Sequence, residues 1–271
     1  MNKRYSGFAF EENFLPRLSS VDIEHLSKED ALVILPIGAV EQHGPHLPVY
    51  TDTLIAEGLL EEAMLQLQHE NIWVLPAIPY GKSNEHLGLS GTMSLSASTL
   101  QAVVMDLAIS VCKSGFKKLL LFNTHGGNHD LLNMMAREIR IETGLMVFRL
   151  NPGFEAVNRL ISQQEQRFGI HGGEVETSLI MELKGDWVQF DKSPTEFVNL
   201  SNNHHLHLKG NSYFAWVMND ISNTGIAGDA RQATKEKGKM MKELIVSELV
   251  KTLKEMKHFS LGDLKKGYVN K

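Results

Sequence analysis

The sequence predicts an α/β fold, with a mainly parallel sheet flanked by helices on both faces. Short apolar runs that end at turn residues alternate with longer amphipathic stretches, the pattern of repeated strand–helix units. The runs are continuously apolar rather than alternating, as strands covered on both faces require. Polar, glycine-rich segments follow the runs, where loops at the carboxyl edge of such a sheet display binding groups.

The elements follow in order. Ala31 to Gly38 (ALVILPIG) reads as a buried strand, and Thr51 to Gln68 opens with capping residues before helical spacing. Ile72 to Tyr80 (IWVLPAIPY) reads as a second strand. Ser96 to Ser114 reads as a helix with Leu100, Val103, Val104, Leu107 and Val111 on one face. Lys117 to Asn123 is a strand, Asp130 to Thr143 a helix and Gly144 to Leu150 a strand. Beyond Asn151 the pattern loosens: Glu174 to Lys184 looks helical, Gly185 to Asn223 loop-rich, and Asp229 to about Lys257 a long closing helix. No repeat, low-complexity tract or long linker interrupts residues 1–271, so a single domain is expected.

Composition narrows the function classes. The chain has 27 Lys and Arg against 32 Asp and Glu, a net charge of −5, which gives no general drive toward nucleic acid or an anionic membrane. A small-molecule partner is expected instead. The one cysteine, Cys112, excludes an internal disulfide and a thiolate metal cage and suits a reducing compartment. The first residues, MNKRYSGFAFEENFLP, lack a signal-peptide core, and apolar runs such as Leu119 to Phe122 fall far short of a membrane span, so a cytoplasmic location is expected.

Chemistry concentrates in three loops. After the first strand come Glu41, Gln42, His43, Gly44, Pro45 and His46, with Asp52 at the head of the next helix. Glu41 and His43 are two apart and project to the same side of an extended loop, and Asp52 can fold back toward them. After the third strand comes Asn123-Thr124-His125-Gly126-Gly127-Asn128, whose glycines permit a sharp turn or close approach of a ligand. It lacks the Lys and Ser/Thr of a phosphate loop and the spacing of a dinucleotide fingerprint. The third is His171-Gly172-Gly173-Glu174-Val175-Glu176, at a helix start, with Glu174 the expected ligand and Glu176 either structural or catalytic.

Together Glu41, His43, Asp52, His125 and Glu174 offer carboxylates and neutral imidazoles without sulfur, a set suited to Zn²⁺, Mn²⁺ or Fe²⁺. Three carboxylates in one pocket repel one another, whereas two divalent cations turn the local sum positive, so a binuclear centre with Asp52 as the bridge is expected. Such a centre supplies an activated water and an oxyanion acceptor to a carbonyl substrate, with His171 at the mouth of the site. Ser83, Glu85 and His86, in the GKSNEH loop, are expected to line the substrate side with Gly126 and Gly127.

The segments PIGAVEQHGPHLPVYTD, YGKSNEH, NTHGGN, HGGEVETS and GIAGDARQAT, from about Ile34 to Thr234, together resemble the creatininase (creatinine amidohydrolase) family. The resemblance implies an α/β/α sandwich, a binuclear metal site, hydrolysis of a C–N bond in a cyclic or small amide, and a homo-oligomer, often a hexamer. It places Glu41, His43, Asp52 and His125 on family metal-ligand positions and His171 on one associated with proton transfer, so that His171 or Glu176 would protonate the leaving nitrogen. The chain departs where creatininases carry a glutamate ligand; Gly127 stands there, and Glu174 is expected to substitute. Relatives without that glutamate include deformylases of formamidopyrimidine intermediates and hydrolases of oxidised inositols. The competing readings are an enzyme opening an oxidised inositol or lactone-type ring on the same site, and a noncatalytic metal- or metabolite-binding protein. For the latter, His204-His205-Leu206-His207 would be a surface metal tract.

Overall fold

The computed structural model describes residues 9–200, 202–203 and 205–265. A four-stranded parallel sheet carries the fold, in the order β2-β1-β3-β4. Its strands are β1 (Leu32–Ile37), β2 (Ile72–Val74), β3 (Lys118–Asn123) and β4 (Met146–Leu150). The helices between them are α2 (Thr51–Gln66), α3 (Ala97–Lys113) and α4 (His129–Thr143), after a short α1 (Ser20–His25). Then come α5 (Gln163–Phe168), α6 (Glu174–Lys184), β5 (Thr195–Glu196), α7 (Met218–Ile221), β6 (Gly228–Asp229) and α8 (Lys235–His258). Among the described residues no helix is long and apolar enough to cross a membrane.

Strand alternation splits the core into two layers. Leu32, Ile34, Leu120 and Phe122 face one way, where α2 (Leu59, Ala63), α6 (Leu179, Ile180) and α8 (Ile245, Leu249) cover them. Val33, Leu35, Leu119 and Leu121 face the other way, against α3 (Leu100, Val104) and α4 (Leu132, Ile139). This is the expected α/β/α sandwich.

Several boundaries differ from the sequence reading for local reasons. The second strand is three residues long rather than nine, because Pro76 and Pro79 carry no N–H for a ladder; pairing resumes only as a bridge between Ile37 and Ile78. On α3 the buried stripe is Leu100, Val104, Ala108 and Val111, and Leu107 is exposed. At about 100° per residue these four cover an arc of about 80°, and Leu107 stands just outside its Leu100 edge. Ser96 caps α3 by accepting the Thr99 N–H at 3.1 Å. At the other end of α4, Gly144 adopts φ 76°, the left-handed C-cap that glycine tolerates best. The closing helix starts at Lys235, with Thr234 as its N-cap, rather than at Asp229, which pairs with Thr195 in a two-residue ladder.

The strand order positions the site. From β1 the chain moves to β2 on one side, then crosses back to β3 on the other, so connections diverge between β1 and β3. That switch opens a crevice at the carboxyl ends of the two strands. Ile37 and Asn123 are register partners, so the loops after them leave at the same level.

Candidate metal centre

The loop after β1 doubles back so that the Glu41 N–H donates to Val49 O at 2.9 Å, which places Glu41 and His43 over the first turn of α2. Gly44, at φ 71°, makes the turn, and its N–H donates to Gln42 Oε1 at 2.9 Å. Thr124 Oγ1 donates to Asp52 O at 2.8 Å, tying the start of α2 to the His125 loop. His171 is brought in by an antiparallel bridge with Ala227.

Glu41, His43, Asp52 and His125 converge, all buried. His125 Nδ1 lies 3.3 Å from both Glu41 Oε1 and Asp52 Oδ2. His43 Nε2 lies 3.6 Å from Asp52 Oδ1 and 3.8 Å from Glu41 Oε1. Asp52 therefore turns one oxygen to each imidazole. His86 Nε2 and His171 Nδ1 approach Glu41 Oε1 at 3.7 and 3.6 Å. Ligand atoms group within 4.8 Å of one another in three sets: Glu41, Asp52 and His125; His43, His171 and Glu176; Glu41, His86 and His171.

The imidazole tautomers follow from their backbone partners. A carbonyl oxygen only accepts, so each ring nitrogen facing one must carry the proton. His43 Nδ1–H donates to Glu41 O at 3.0 Å, His125 Nε2–H to Lys82 O at 3.0 Å and His171 Nε2–H to Gln42 O at 2.6 Å. The opposite nitrogens, His43 Nε2, His125 Nδ1 and His171 Nδ1, point into the carboxylates, where a cation would take their lone pairs.

The electrostatics call for positive charge at the centre. Burial opposes a charged His43, yet Asp52, Glu176 and Glu41 outweigh it and hold the ring at about 10. His125 is raised well above its ordinary value in the same way, with Glu41 and Asp52 prevailing over burial. Burial pushes Asp52 up, but His43 and His125 hold it far below the carboxylate range. Glu176 is pushed up to about 7 by burial, and His171 well down by burial and by His43 and His86. Glu41 Oε2, His43 Nε2 and Asp52 Oδ2 are buried without a hydrogen-bond partner among the described residues. Orphaned buried acceptors of this kind are costly unless a cation satisfies them, so the donor set fits a metal.

Of the residues expected from sequence, Glu174 is the one placed elsewhere. Its carboxylate pairs with Lys237 of α8, and Glu176 instead reaches the cluster. Two residues apart on one helix, the two acids point to nearly opposite sides. Ser83, Glu85 and His86 approach the cluster's imidazoles and Glu41: Ser83 Oγ lies 3.2 Å and Glu85 Oε1 3.7 Å from His125 Nε2. At Gly126 a Cβ would meet open space, whereas at Gly127 it would meet Glu85, His125 and Lys82 O. A cavity of about 140 Å³ reaches the cluster through His171 and Glu176, between Val157, Ile161, Gln166 and Ile170. Of the histidine tract, His204 lies outside the described residues; His207 pairs with Tyr213 in an isolated bridge, and neither His205 nor His207 joins a candidate ligand group.

Sequence reasoning missed Gln42, whose Nε2 lies 2.9 Å from His86 Nδ1, 3.2 Å from His171 Nε2 and 2.7 Å from Gly225 O. Its place between Glu41 and His43 was the available signal, since neighbours in an extended loop face opposite ways. It also missed Asn128, whose side chain donates to Gly38 O and Asn123 Oδ1, each at 3.1 Å, and accepts from Lys82 N at 2.9 Å.

Comparison with known proteins identifies the family. A mycofactocin precursor peptide peptidase of Mycobacterium tuberculosis is 28% identical over 244 residues, which span 86% of this chain and 89% of that protein. A creatinine amidohydrolase of Pseudomonas putida is 26% identical, spanning 83% and 90%. A crystal structure from Bacteroides fragilis, described as a candidate creatinine amidohydrolase, superposes with a TM-score of 0.76 at 27% identity, covering 92% of this chain and 98% of that one. The creatinine amidohydrolase family pattern matches residues 16–253, and with nearly the whole chain inside that match, the protein belongs to the creatininase family of metal-dependent amidohydrolases.

Proposed function

We propose that this protein hydrolyses the C–N bond of a small or cyclic amide at a binuclear centre of divalent cations, Mn²⁺ or Zn²⁺. The observation that carries the reading is the inward-facing set of orphaned ligand atoms, with Asp52 turning one oxygen toward His43 and the other toward His125. Glu41, Asp52 and His125 would hold one cation, and His43, Asp52 and Glu176 the second. When bound, the pair supplies an activated water and stabilises the oxyanion that forms at the substrate carbonyl. The chain's own residues do the rest. His171, which lines the cavity, holds and delivers the proton that the leaving nitrogen needs, while Glu176 is steadied by the Gly172 N–H on its Oε2. The carbonyl oxygens of Glu41, Lys82 and Gln42 keep the three imidazoles oriented throughout. Gly126 leaves the backbone open for a substrate to approach. Assembly into a homo-oligomer belongs to the same proposal and is read by light scattering.

Metal analysis of protein purified without chelator should return one to two equivalents of a transition metal. Asp52→Asn should lose metal and turnover together. The metal-replete protein, screened against cyclic amides, formamides, short peptides, lactones and cyclic ketones, should turn over a C–N substrate. Turnover confined to lactones or cyclic ketones would replace the amide reading with ring opening at carbon or oxygen. Tight binding with no turnover of any class would overturn the enzyme reading.

A further inference from the structure

The GKSNEH loop carries a carboxylate that the proposed reaction has not used. Glu85 Oε2 is held by Lys82 Nζ at 3.0 Å, and Glu85 Oε1 lies 3.7 Å from His125 Nε2. His125 Nε2 points away from the cluster, toward Lys82 O, Ser83 Oγ and Glu85, while Nδ1 faces Glu41 and Asp52. The carboxylate has room there only because residue 127 is glycine. A Cβ at Gly127 would land on Glu85 Oε1 and come within 2.5 Å of both His125 Nε2 and Lys82 O. Neighbouring Gly126 differs, since a Cβ there meets nothing within 4 Å. The two glycines thus do separate things: one leaves open space, the other makes room for an acid from a different loop.

We infer that Glu85 is a positioning residue for the metal centre, its carboxylate seated beside Gly127 so that its negative charge backs the Nε2–H that His125 donates to Lys82 O and turns Nδ1 toward the cation. An imidazole that gives its lone pair to a cation becomes a stronger N–H donor at its far nitrogen. A negative charge behind that nitrogen strengthens the N–H bond to Lys82 O and makes the ring a better ligand, and removing such a partner weakens metal binding about 10- to 100-fold. Lys82 holds the acid in place, so that it stands behind His125 rather than swinging toward the cations. The inference rests on the metal-centre reading above, and the two can fail separately.

The test uses the full chain, with Mn²⁺ as the probe in competition with a chelator. Glu85→Gln, which keeps the shape and removes the charge, should weaken Mn²⁺ binding by about 10-fold or more while the metal-free melting temperature is unchanged. Glu85→Asp should recover part of the loss. Gly127→Ala, whose Cβ would press on Lys82 O and the His125 ring as well as on Glu85, should weaken binding at least as much. In the metal-free protein, ¹⁵N NMR should find His125 Nε2 protonated, with faster solvent exchange of that proton in Glu85→Gln. Mn²⁺ binding by Glu85→Gln within twofold of the parent, or a His125 whose Nε2 carries no proton, would overturn the inference. If the parent itself bound no Mn²⁺ or Zn²⁺, the metal-centre reading would fail, and the protonation and exchange measurements would still decide the role of Glu85.

Discussion

Gly238→Ala should destabilise the protein even though alanine is the better helix former. Gly238 lies in the second turn of α8, where that helix passes over α6. An alanine Cβ there would land on Ser178 O, lie 2.6 Å from Ser178 C and 3.1 Å from Glu182 Cβ. Carbon atoms rest at about 3.5–4.0 Å, so the helices must part locally by about 1 Å. The obstacle is backbone and cannot swing aside. Replacing a helical glycine gains about 1 kcal/mol, and overpacking a tight contact costs about 1–3 kcal/mol, toward the upper end here. The net expectation is a loss of about 1–2 kcal/mol, or roughly 3–6 °C in melting temperature for a chain of this size. The same displacement reaches the site. Ser178 Oγ accepts the Thr234 N–H at 3.3 Å, and Thr177, one residue earlier, bonds His46 Nε2 at 2.8 Å. Glu176 lies on the preceding residue, so its approach to His43 should change and metal affinity fall with stability. Urea unfolding monitored by circular dichroism, with a parallel Mn²⁺ titration, measures both. An alanine variant as stable as the parent, or more so, would mean that α6 and α8 are not in backbone contact at this point and would refute the packing argument.

Two further outcomes follow from single side chains. Asn128→Ala removes three hydrogen bonds that join the loops after β1, β2 and β3, and takes their side-chain partner from Lys82 N and Gly38 O; it should cost about 2–4 kcal/mol in chemical denaturation, and a loss below 1 kcal/mol would contradict the role given to it. Glu196 accepts from Ser222 Oγ, Asn223 N and Thr224 N, each at 2.8 Å; burial pushes its carboxyl up, but these donors and the Thr224 hydroxyl outweigh it and bring it from 4.5 to about 2. A carboxyl lowered on folding stabilises above its unfolded value and loses that contribution as pH falls through the folded one. The parent should therefore exceed Glu196→Gln by about 1 kcal/mol at pH 7, a figure reduced for solvent screening, with the gap closing between pH 4.5 and 2. A gap that is constant across that range would refute the assignment.

The parts of the fold legible in the sequence are those where one physical signal dominates. β1 and β3 are buried on both faces, so their residues are apolar without interruption and show as strands directly. The second strand misleads because IWVLPAIPY has the hydrophobicity of a strand, while its two prolines remove the ladder beyond Val74. Residues 185–223 show no period because side chains bonding to backbone hold them, as when Glu196 gathers residues 222–224 and Trp216 Nε1–H donates to Leu208 O at 2.9 Å. The convergence of Glu41, His43, Asp52 and His125 was legible because each follows a parallel strand or opens the next helix, and such segments share one sheet edge. The choice between Glu174 and Glu176 was not legible. Both sit in a first helical turn, and only the position of Lys237, more than sixty residues on, decides which side of α6 faces the cluster.

The orientation of the imidazoles lay furthest from the sequence, and it is the property on which the chemistry depends most. A His-rich motif specifies nitrogen donors but not which nitrogen is free. At this centre the choice is made by carbonyl oxygens, those of Glu41, Lys82 and Gln42, and a carbonyl belongs to every residue type. What selects these three is the path of the backbone: the turn at Gly44, the return of Glu41 N–H to Val49 O, and the three bonds of Asn128 that pull Lys82, Gly38 and Asn123 together. Residues that touch no ligand atom therefore set the ligand geometry. It follows that a loss of metal binding in Asn128→Ala should be reached through His125: with Lys82 no longer anchored, the carbonyl that fixes the Nε2–H tautomer drifts, and the Nδ1 lone pair loses its fixed direction toward Glu41 and Asp52. A variant at Asn128 that loses metal while ¹⁵N NMR shows His125 still held as the Nε2–H tautomer, its proton exchanging no faster than in the parent, would break that chain of causes at its first link.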